Sequence, residues 1–154
     1  MAVRRWDLSV GLHEARGALD VDLRVPGHSM QVVTTHLGLW PRERPVQTER
    51  LLKLFVANRH DVTILMGDLN EWQVRGKALQ GLSRVFGATS APATFPARCP
   101  LLPLDRIWMT PARALHRVAV HDTPLSRVAS DHLPIKADIY LLQGSAPPTR
   151  SPVV

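Results

Sequence analysis

Cysteine is almost absent from this chain of 154 residues, since Cys99 is the only one. A lone cysteine cannot form an internal disulfide, so nothing in the sequence requires an oxidising compartment. The first residues also lack the unbroken apolar stretch of a secretion signal, because Arg4, Arg5 and Asp7 interrupt it. Apolar runs such as residues 62–66 fall far short of the roughly 20 residues that cross a bilayer. The sequence predicts a cytoplasmic protein without a transmembrane segment.

Lysine is scarce as well, at Lys53, Lys77 and Lys136 alone, so arginine carries most of a formal net charge of +6. Arginine binds phosphate oxygens in a bidentate manner. This charge favours partners such as nucleic acid, another phosphate-ester substrate or an anionic phospholipid, although it says nothing about fold. A basic surface that is merely solvated explains the charge equally well. The apolar fraction of 45% and the charged fraction of 21% are typical of one folded globular domain.

Strand and helix patterns alternate along the chain. Residues 20–25 alternate polar with apolar side chains and residues 30–35 are rich in β-branched ones, which predicts a hairpin with a turn at 26–29. Helical spacing of apolar side chains predicts a helix from Pro41 to about Asn58. We also expect a short helix at 77–82 and strands at 62–66, 104–109, 115–120 and 135–141. The composition from Gln143 onward cannot build a core, so we predict a domain at 1–142 and a disordered tail at 143–154.

Four short polar segments each place acids, amides or imidazoles at the end of an apolar strand, where α/β proteins gather catalytic groups. They are Thr35-His36-Leu37, Gly67-Asp68-Leu69-Asn70, Leu104-Asp105-Arg106-Ile107 and Ser130-Asp131-His132-Leu133-Pro134. Each segment alone has an ordinary explanation. Asp68 or Ser130 could form a turn, and His36 could be a hydrogen-bonded core histidine. Asp105 and Arg106 could form a surface ion pair.

Together, in this order and spacing, the four segments resemble the signature of the endonuclease/exonuclease/phosphatase superfamily. That signature is a Thr-His pair, a Gly-Asp-Φ-Asn segment in which Φ is apolar, an Asp-X-Ile, and a closing Ser-Asp-His-X-Pro. The stretch His36 to Leu39, with Arg44 and Gln47, is similar to a bacterial branch, and Thr94-Phe95-Pro96 matches a segment that often precedes the Asp-X-Ile. The resemblance covers about residues 15–140. It implies an α/β (α+β) fold, part of a four-layered sandwich with mixed β-sheets flanked by helices.

Hydrolysis of a phosphoester needs a base for the attacking water and positive charge for the phosphoryl oxygens. His132 can take a proton near neutral pH, and we expect the Asp105 carboxylate to orient it. Asp68 and Asn70 lie two residues apart, so both point to one side of an extended strand. Asp68 would orient the water or contact the metal, and Asn70 would donate its amide to the phosphate. The resemblance assigns His36 to a phosphate oxygen or to the leaving group.

The expected metal is Mg²⁺, with Mn²⁺ as a substitute, because the candidate ligands are carboxylates and no Cys/His cluster has zinc spacing. The resemblance assigns Asp131 to the metal site, and Asp68 is the second candidate ligand. Arg44 and Trp72 are further candidates for substrate binding. Trp72 would either stack on a base or pack against the neighbouring helix. Three other tryptophans are expected in the core, namely Trp6, Trp40 and Trp108.

The chain departs from the superfamily pattern in what precedes these segments. Members begin with an Asn-bearing strand and a Gln-Glu pair whose Glu is the principal metal ligand, and neither occurs here. The N-terminal half of the fold is therefore expected to be missing: Met1 is a misassigned start or a fragment boundary, or the gene is degenerate. The leading hypothesis is a Mg²⁺-dependent phosphoesterase, a nuclease or phosphatase that hydrolyses a phosphodiester or phosphomonoester. The alternative is a truncated, inactive remnant that acts as a basic module binding nucleic acid or another anion.

Overall fold

The computed structural model describes residues 1–56, 60–73 and 76–141. The predicted end of the first helix near Asn58 and the predicted tail at 143–154 lie outside the described residues. The strands are β1 (Ala2–Asp7), β2 (Gly17–Val25), β3 (His28–His36), β4 (Val62–Asp68), β5 (Asp105–Thr110), β6 (Leu115–Val120) and β7 (Ile135–Ile139). The α-helices are α1 (Glu43–Leu52), α2 (Lys77–Phe86) and α3 (Ser126–Ala129), and short 3-10 helices cover Lys53–Phe55 and Ala112–Ala114.

A five-stranded mixed sheet with the strand order β1-β2-β3-β4-β5 organises the chain. β2 and β3 pair antiparallel, which confirms the predicted hairpin. β3 and β4 pair parallel, and β4 and β5 pair antiparallel. β6 and β7 form a separate two-stranded antiparallel sheet. A mixed sheet flanked by helices confirms the predicted α/β class.

The edge strand β1 was not predicted, because charged residues interrupt its apolar pattern. Arg4 instead ties it to β2: the guanidinium donates to Asp20 at 2.9 Å and to Asp22 at 2.6 Å. Trp6 Nε1 also donates to Asp20, at 3.3 Å. The Trp6 ring is exposed on this strand, so the prediction that it lies in the core was wrong. Hydrogen bonds between polar side chains of β1 and β2, rather than apolar burial, therefore hold this edge strand in place.

Helices α1 and α2 cover one face of the sheet. Leu79, Leu82 and Phe86 follow helical spacing on α2 and are buried with sheet residues such as Leu65 and Trp108. The core position of Trp108 is thus confirmed. Helix α2 continues to Phe86, beyond the predicted end at residue 82, and stops where Gly87 adopts a φ of 81°. No helix in the described ranges is both long and apolar enough to cross a bilayer.

The opposite face of the sheet is packed at the end where β6 and β7 lie. Met30, Val62 and Met109 are buried there, and Leu115 of β6 and Ile139 of β7 pack against them. Further along this face the apolar side chains of β1 and β2 are less covered. Val3 and Leu19 are exposed, and the remainder of the face is partly buried.

Candidate active site

One transverse row of the sheet carries three of the predicted catalytic side chains. His36 pairs in register with Asp68, and Asp68 pairs with Asp105, so all three project from the face opposite α1 and α2. β3 and β4 are parallel, so His36 and Asp68 end their strands at the same edge. Gly67 allows this close approach, because a Cβ at this residue would lie 1.9 Å from the Thr35 carbonyl oxygen. The row brings together the last residues of β3 and β4 and the first residue of β5.

His132 reaches the row from the loop before β7. Its Nδ1 lies 2.8 Å from Asp105 Oδ2, and its Nε2 lies 3.7 Å from Asp68 Oδ2. The loop is anchored by the buried Leu133, whose N–H donates to the Thr94 carbonyl at 2.9 Å. In the neutral tautomer with Nδ1–H donating to Asp105, Nε2 keeps its lone pair and faces Asp68.

Two opposing effects act on the His132 imidazole. Partial burial lowers its pKa, but the hydrogen bond with Asp105 and the nearby negative charges of Asp105, Asp68 and Asp131 outweigh the burial. The pKa of His132 is therefore raised above its ordinary value. The imidazolium form is the one that this site stabilises, as a base that must accept a proton requires.

Asp68 lies between the two histidines of the site. His36 Nε2 is 3.4 Å from Asp68 Oδ2, the same oxygen that faces His132. The other oxygen, Oδ1, accepts the Asn70 backbone N–H at 2.8 Å. Asn70 has a φ of 50°, and its Nδ2 donates to the Leu37 carbonyl at 2.8 Å. One amide hydrogen of Asn70 therefore holds the loop that follows β3, and the second remains for another acceptor.

Thr94 is a member of the site that sequence reasoning missed. Its hydroxyl donates to Asp105 Oδ2 at 2.6 Å, so this oxygen bonds both Thr94 and His132. Thr94 is fully buried, and the neighbouring Phe95 ring lies 4.9 Å from the His132 ring, centroid to centroid. The Thr94-Phe95-Pro96 motif was the available signal. The motif did not reveal that these side chains face the imidazole.

Arg44 and Trp72 do not join this cluster. The Arg44 side chain is 2% exposed, and its guanidinium bonds Glu71 Oε2 at 3.2 Å and the Leu39 carbonyl at 2.7 Å. Trp72 is half-exposed, with its ring centroid 6.0 Å from Arg44 Cζ. Arg44 therefore braces the loop that carries Glu71. The structure gives Arg44 a buried ion pair in place of the predicted contact with substrate.

Arg106 belongs to the same buried network. The sequence allowed a surface ion pair between Asp105 and Arg106, but Arg106 is buried and donates to the Glu71 carbonyl at 2.8 Å. Glu71 and Arg106 together hold the segment that follows Asn70 in place. The sequence alone predicted no functional role for either residue. Trp40, also predicted to be buried, is 62% exposed in the loop before α1.

The donor atoms of the site suit a hard cation. Asp68, Asp105 and His132 each offer a ligand atom, and these atoms lie within 4.8 Å of one another. Asp105 Oδ2 is already engaged by Thr94 and His132, whereas Asp68 Oδ2 lies 3.4 Å from His36 Nε2 and 3.7 Å from His132 Nε2. Mg²⁺ keeps several waters and needs only one or two carboxylates besides substrate phosphate. Asp131, the other predicted ligand, is exposed and stands outside this trio in the part of the chain that the structure describes.

Known proteins resemble this chain in sequence or in fold. Uncharacterized protein YbhP of Escherichia coli strain K12 is 36% identical over 147 residues, which cover 88% of this chain and 56% of YbhP. A mannosyl-6-phosphatase from Bacteroides thetaiotaomicron superposes with a TM-score of 0.68 at 15% identity, covering 91% of this chain and 66% of that one. TDP2 of D. rerio complexed with single-strand DNA product gives a TM-score of 0.63 at 18% identity, covering 89% and 66%.

The family is shown by a sequence model rather than by these individual similarities. This chain spans about half the length of YbhP and 66% of each of the two solved chains. At 15% and 18% identity the two structures establish a shared fold only. Residues 6–132 match the sequence model of the Endonuclease/Exonuclease/phosphatase family. The chain therefore belongs to the endonuclease/exonuclease/phosphatase family.

Proposed function

We propose that this chain carries the catalytic base of a Mg²⁺-dependent phosphoesterase, in which His132 and Asp105 activate the attacking water. The observation that supports this proposal is the 2.8 Å contact between His132 Nδ1 and Asp105 Oδ2, which leaves His132 Nε2 3.7 Å from Asp68 Oδ2. His132 Nε2 accepts the proton of the water, and Asp105 stabilises the imidazolium that forms. Thr94 holds Asp105 in the orientation that this step requires.

The substrate phosphate would lie against the same row of the sheet. His36 is half-exposed beside Asp68, so its imidazole can donate to a phosphate oxygen or to the leaving group. The second amide hydrogen of Asn70 can donate to another phosphate oxygen. Trp72 is exposed enough to contact a substrate group beyond the phosphate. Arg44 is not included, because its guanidinium is buried against Glu71.

A divalent cation would be held by Asp68, with Asp131 as the further ligand that the family pattern suggests. When bound, it supplies positive charge to the phosphoryl oxygens and to the leaving oxygen. Mn²⁺ would serve in place of Mg²⁺, because both accept carboxylate and water oxygens.

The proposed substrate is a phosphodiester or phosphomonoester, such as nucleic acid or an anionic phospholipid. The net charge of +6 favours an anionic partner. TDP2, which shares the fold, is a protein complexed with a DNA product, and the Bacteroides relative is a phosphatase. Site geometry, rather than fold, selects among such substrates.

The test compares the full chain with His132→Ala on bis(p-nitrophenyl) phosphate and p-nitrophenyl phosphate, in Mg²⁺, Mn²⁺ and EDTA. We expect metal-stimulated release of nitrophenol that falls by about 10²- to 10⁴-fold in the variant, the usual contribution of a general base. His116→Ala, which removes an exposed histidine of β6, is the matched control. Equal hydrolysis by His132→Ala would reject the assignment. Salt-sensitive binding of nucleic acid without hydrolysis in any metal would identify a basic binding module instead.

A further inference from the structure

A cavity of about 470 Å³ lies at the end of the sheet where β3 ends at His36, and none of the proposed catalytic groups lines it. Its lining residues are Val10, His13, Trp40, Pro41, Arg42 and Glu43. They come from the β1–β2 loop, from the loop between β3 and α1 and, for Glu43, from the first residue of α1. Both loops leave the sheet at the end where His36 lies, because the start of β2 pairs with the end of β3.

Glu43 gives this cavity a buried acceptor without a donor. The residue is 3% exposed, and its Oε1 accepts no hydrogen bond from any described residue. The other oxygen is fixed: Gln47 Nε2 lies 3.4 Å from Oε2, and a Cβ on Gly38 would lie 2.0 Å from it. Gln47 is itself held by the Gly38 N–H at 2.8 Å. Burial of a carboxylate oxygen without a donor is costly, and a ligand that displaces the half-exposed His13 side chain would bring a donor to Oε1.

Aromatic and apolar groups form the walls around this acceptor. Trp40 is mostly exposed, and its ring centroid lies 6.0 Å from that of His13 with an angle of 34° between the planes. His13 Nδ1 is 3.5 Å from Glu43 Oε1, which is an ion-pair distance if His13 is protonated but does not meet hydrogen-bond geometry. Val10 and Pro41 supply apolar surface. A flat ring that carries an N–H donor matches these walls and this acceptor.

The charge of the cavity favours a neutral ring over an organic cation as its ligand. Arg42 lines the same cavity and would repel a cationic ligand, but it can bind a phosphate. A nucleotide offers a phosphate, a ring that stacks on an exposed tryptophan, and in some bases an amino group that donates to a carboxylate. Trp40 follows His36 by four residues, so their Cα atoms are at most about 14 Å apart. A separation within this limit suits a nucleotide beside the phosphate that is cleaved.

We propose that the cavity between Trp40 and Glu43 binds a nucleobase with an exocyclic amino group, on a nucleotide adjacent to the reacting phosphate. This inference rests on the proposed function for its place beside the reaction, but binding at the cavity can be measured without catalysis. The base stacks on Trp40, its amino group donates to Glu43 Oε1, and its phosphate contacts Arg42. Cytosine carries such an amino group, whereas uracil carries a carbonyl oxygen at the same ring position.

The test measures binding of 5′-CMP and 5′-UMP to the full chain by titration calorimetry in EDTA. We expect 5′-CMP to bind about tenfold more tightly. Its amino group donates a hydrogen bond to the charged Glu43 carboxylate, whereas uracil places a carbonyl oxygen, itself an acceptor, opposite that carboxylate. Glu43→Gln should lose this preference, since the amide can also donate to uracil. Trp40→Ala should weaken both nucleotides alike by about tenfold. Glu49→Gln, an exposed position on the same helix, should change neither affinity.

Equal affinities for the two nucleotides in the unsubstituted chain, or unchanged binding in Trp40→Ala, would overturn the inference. Trp40 is exposed, so its variant remains informative even if Glu43→Gln folds poorly. His132→Ala separates the two proposals. The variant should lose hydrolysis and keep the preference for 5′-CMP. A preference for 5′-CMP in an unsubstituted chain that hydrolyses neither ester in any metal would support the cavity and reject the catalytic assignment. Hydrolysis that depends on His132, without any preference between the nucleotides, would do the reverse.

Discussion

Asp105 Oδ2 meets both the Thr94 hydroxyl and His132 Nδ1, so a single oxygen fixes the orientation of the imidazole. Asp105→Asn removes the negative charge that raises the pKa of His132 but leaves the burial that lowers it. We expect the pKa of His132 to fall in this variant. The measurement is an NMR titration of the imidazole Cε1 proton in EDTA, with Asp138→Asn as the control for loss of a distant, exposed carboxylate. An unchanged titration midpoint would contradict the geometry.

The same raised pKa has a consequence for stability, with a defined sign. A proton bound more tightly in the folded state stabilises that state below the ordinary pKa of histidine, and the contribution is lost as pH rises through the folded value. Metal-free protein should therefore lose some stability on that rise in pH. Asp105→Asn should show less of this loss.

Thr94→Val tests whether the buried hydroxyl positions Asp105. Valine keeps the shape but cannot donate to Asp105 Oδ2, so the free energy of unfolding should fall by about 1 kcal/mol. The kcat for a phosphoester should fall while KM stays nearly constant, because the hydroxyl does not reach the substrate. Thr94→Ser should restore kcat. If Val and Ser variants hydrolyse equally well, the hydroxyl has no part in orienting the base.

Sequence reasoning found the residues that end strands and missed those that support them. His36 and Asp68 were predictable because each ends a recognisable apolar strand. Asp105 begins β5 instead and was found through the family signature, and the register then aligns the three. Arg44 was assigned to substrate because a family pattern includes it, yet the direction of its side chain depends on the buried Glu71. That partner lies 27 residues away, and no local spacing identifies it.

At the level of elements, β1 depends on its ion pairs with β2. The hydrogen bond from Arg4 lowers the pKa of Asp22 below its ordinary value. A lowered carboxyl pKa gives stability that is present above the ordinary value and is lost as pH falls through the folded value. The unfolding free energy of Asp22→Asn should therefore lie below that of the unsubstituted chain at pH 6, by urea unfolding, and the gap should shrink near pH 3. A gap that grows on acidification would contradict the role of the Arg4 pair.

The ion pair between α1 and the loop after β4 should contribute differently, because it is buried. Glu71→Gln leaves the Arg44 guanidinium without its carboxylate, and breaking a buried pair on one side costs about 3–5 kcal/mol. The double variant Arg44→Met/Glu71→Leu should lose less than the single variant, as measured by urea unfolding. Asp122→Asn, which breaks an exposed pair with Arg127, should change stability little. A small loss in Glu71→Gln would show that water reaches Arg44.

Local sequence patterns predicted the strands and helices that have a clear apolar period. They failed for elements whose formation or length depends on polar contacts or tertiary packing. The β2–β3 hairpin and β6 follow strand patterns that are visible in the sequence. β1 has no such pattern, and it forms because its arginine finds two aspartates on the adjacent strand. Helix α2 was predicted too short, since its last turn is defined by Phe86 packing edge-on against Phe55 at 5.0 Å.

For the molecule as a whole, the two faces of the sheet differ in coverage. α1 and α2 bury one face, whereas Val3 and Leu19 on the other are exposed. We expect the chain to bind the dye anilinonaphthalene sulfonate while folded, and Leu19→Lys to reduce the fluorescence. Leu12→Lys substitutes a fully exposed loop leucine and serves as the control. Equal fluorescence in the two variants would mean that this face does not take up the dye.

The positions of the proposed catalytic side chains depend on the register of the sheet. Side chains alternate between the faces along a strand, so a shift of β4 by one residue would exchange Asp68 for a neighbour that points towards the helices. His36 would then face no carboxylate on β4, and His132 would retain only Asp105. A single-residue deletion inside β4 should thus produce a protein that still forms hydrogen-bonded strands but has lost the Asp68 carboxylate from its site.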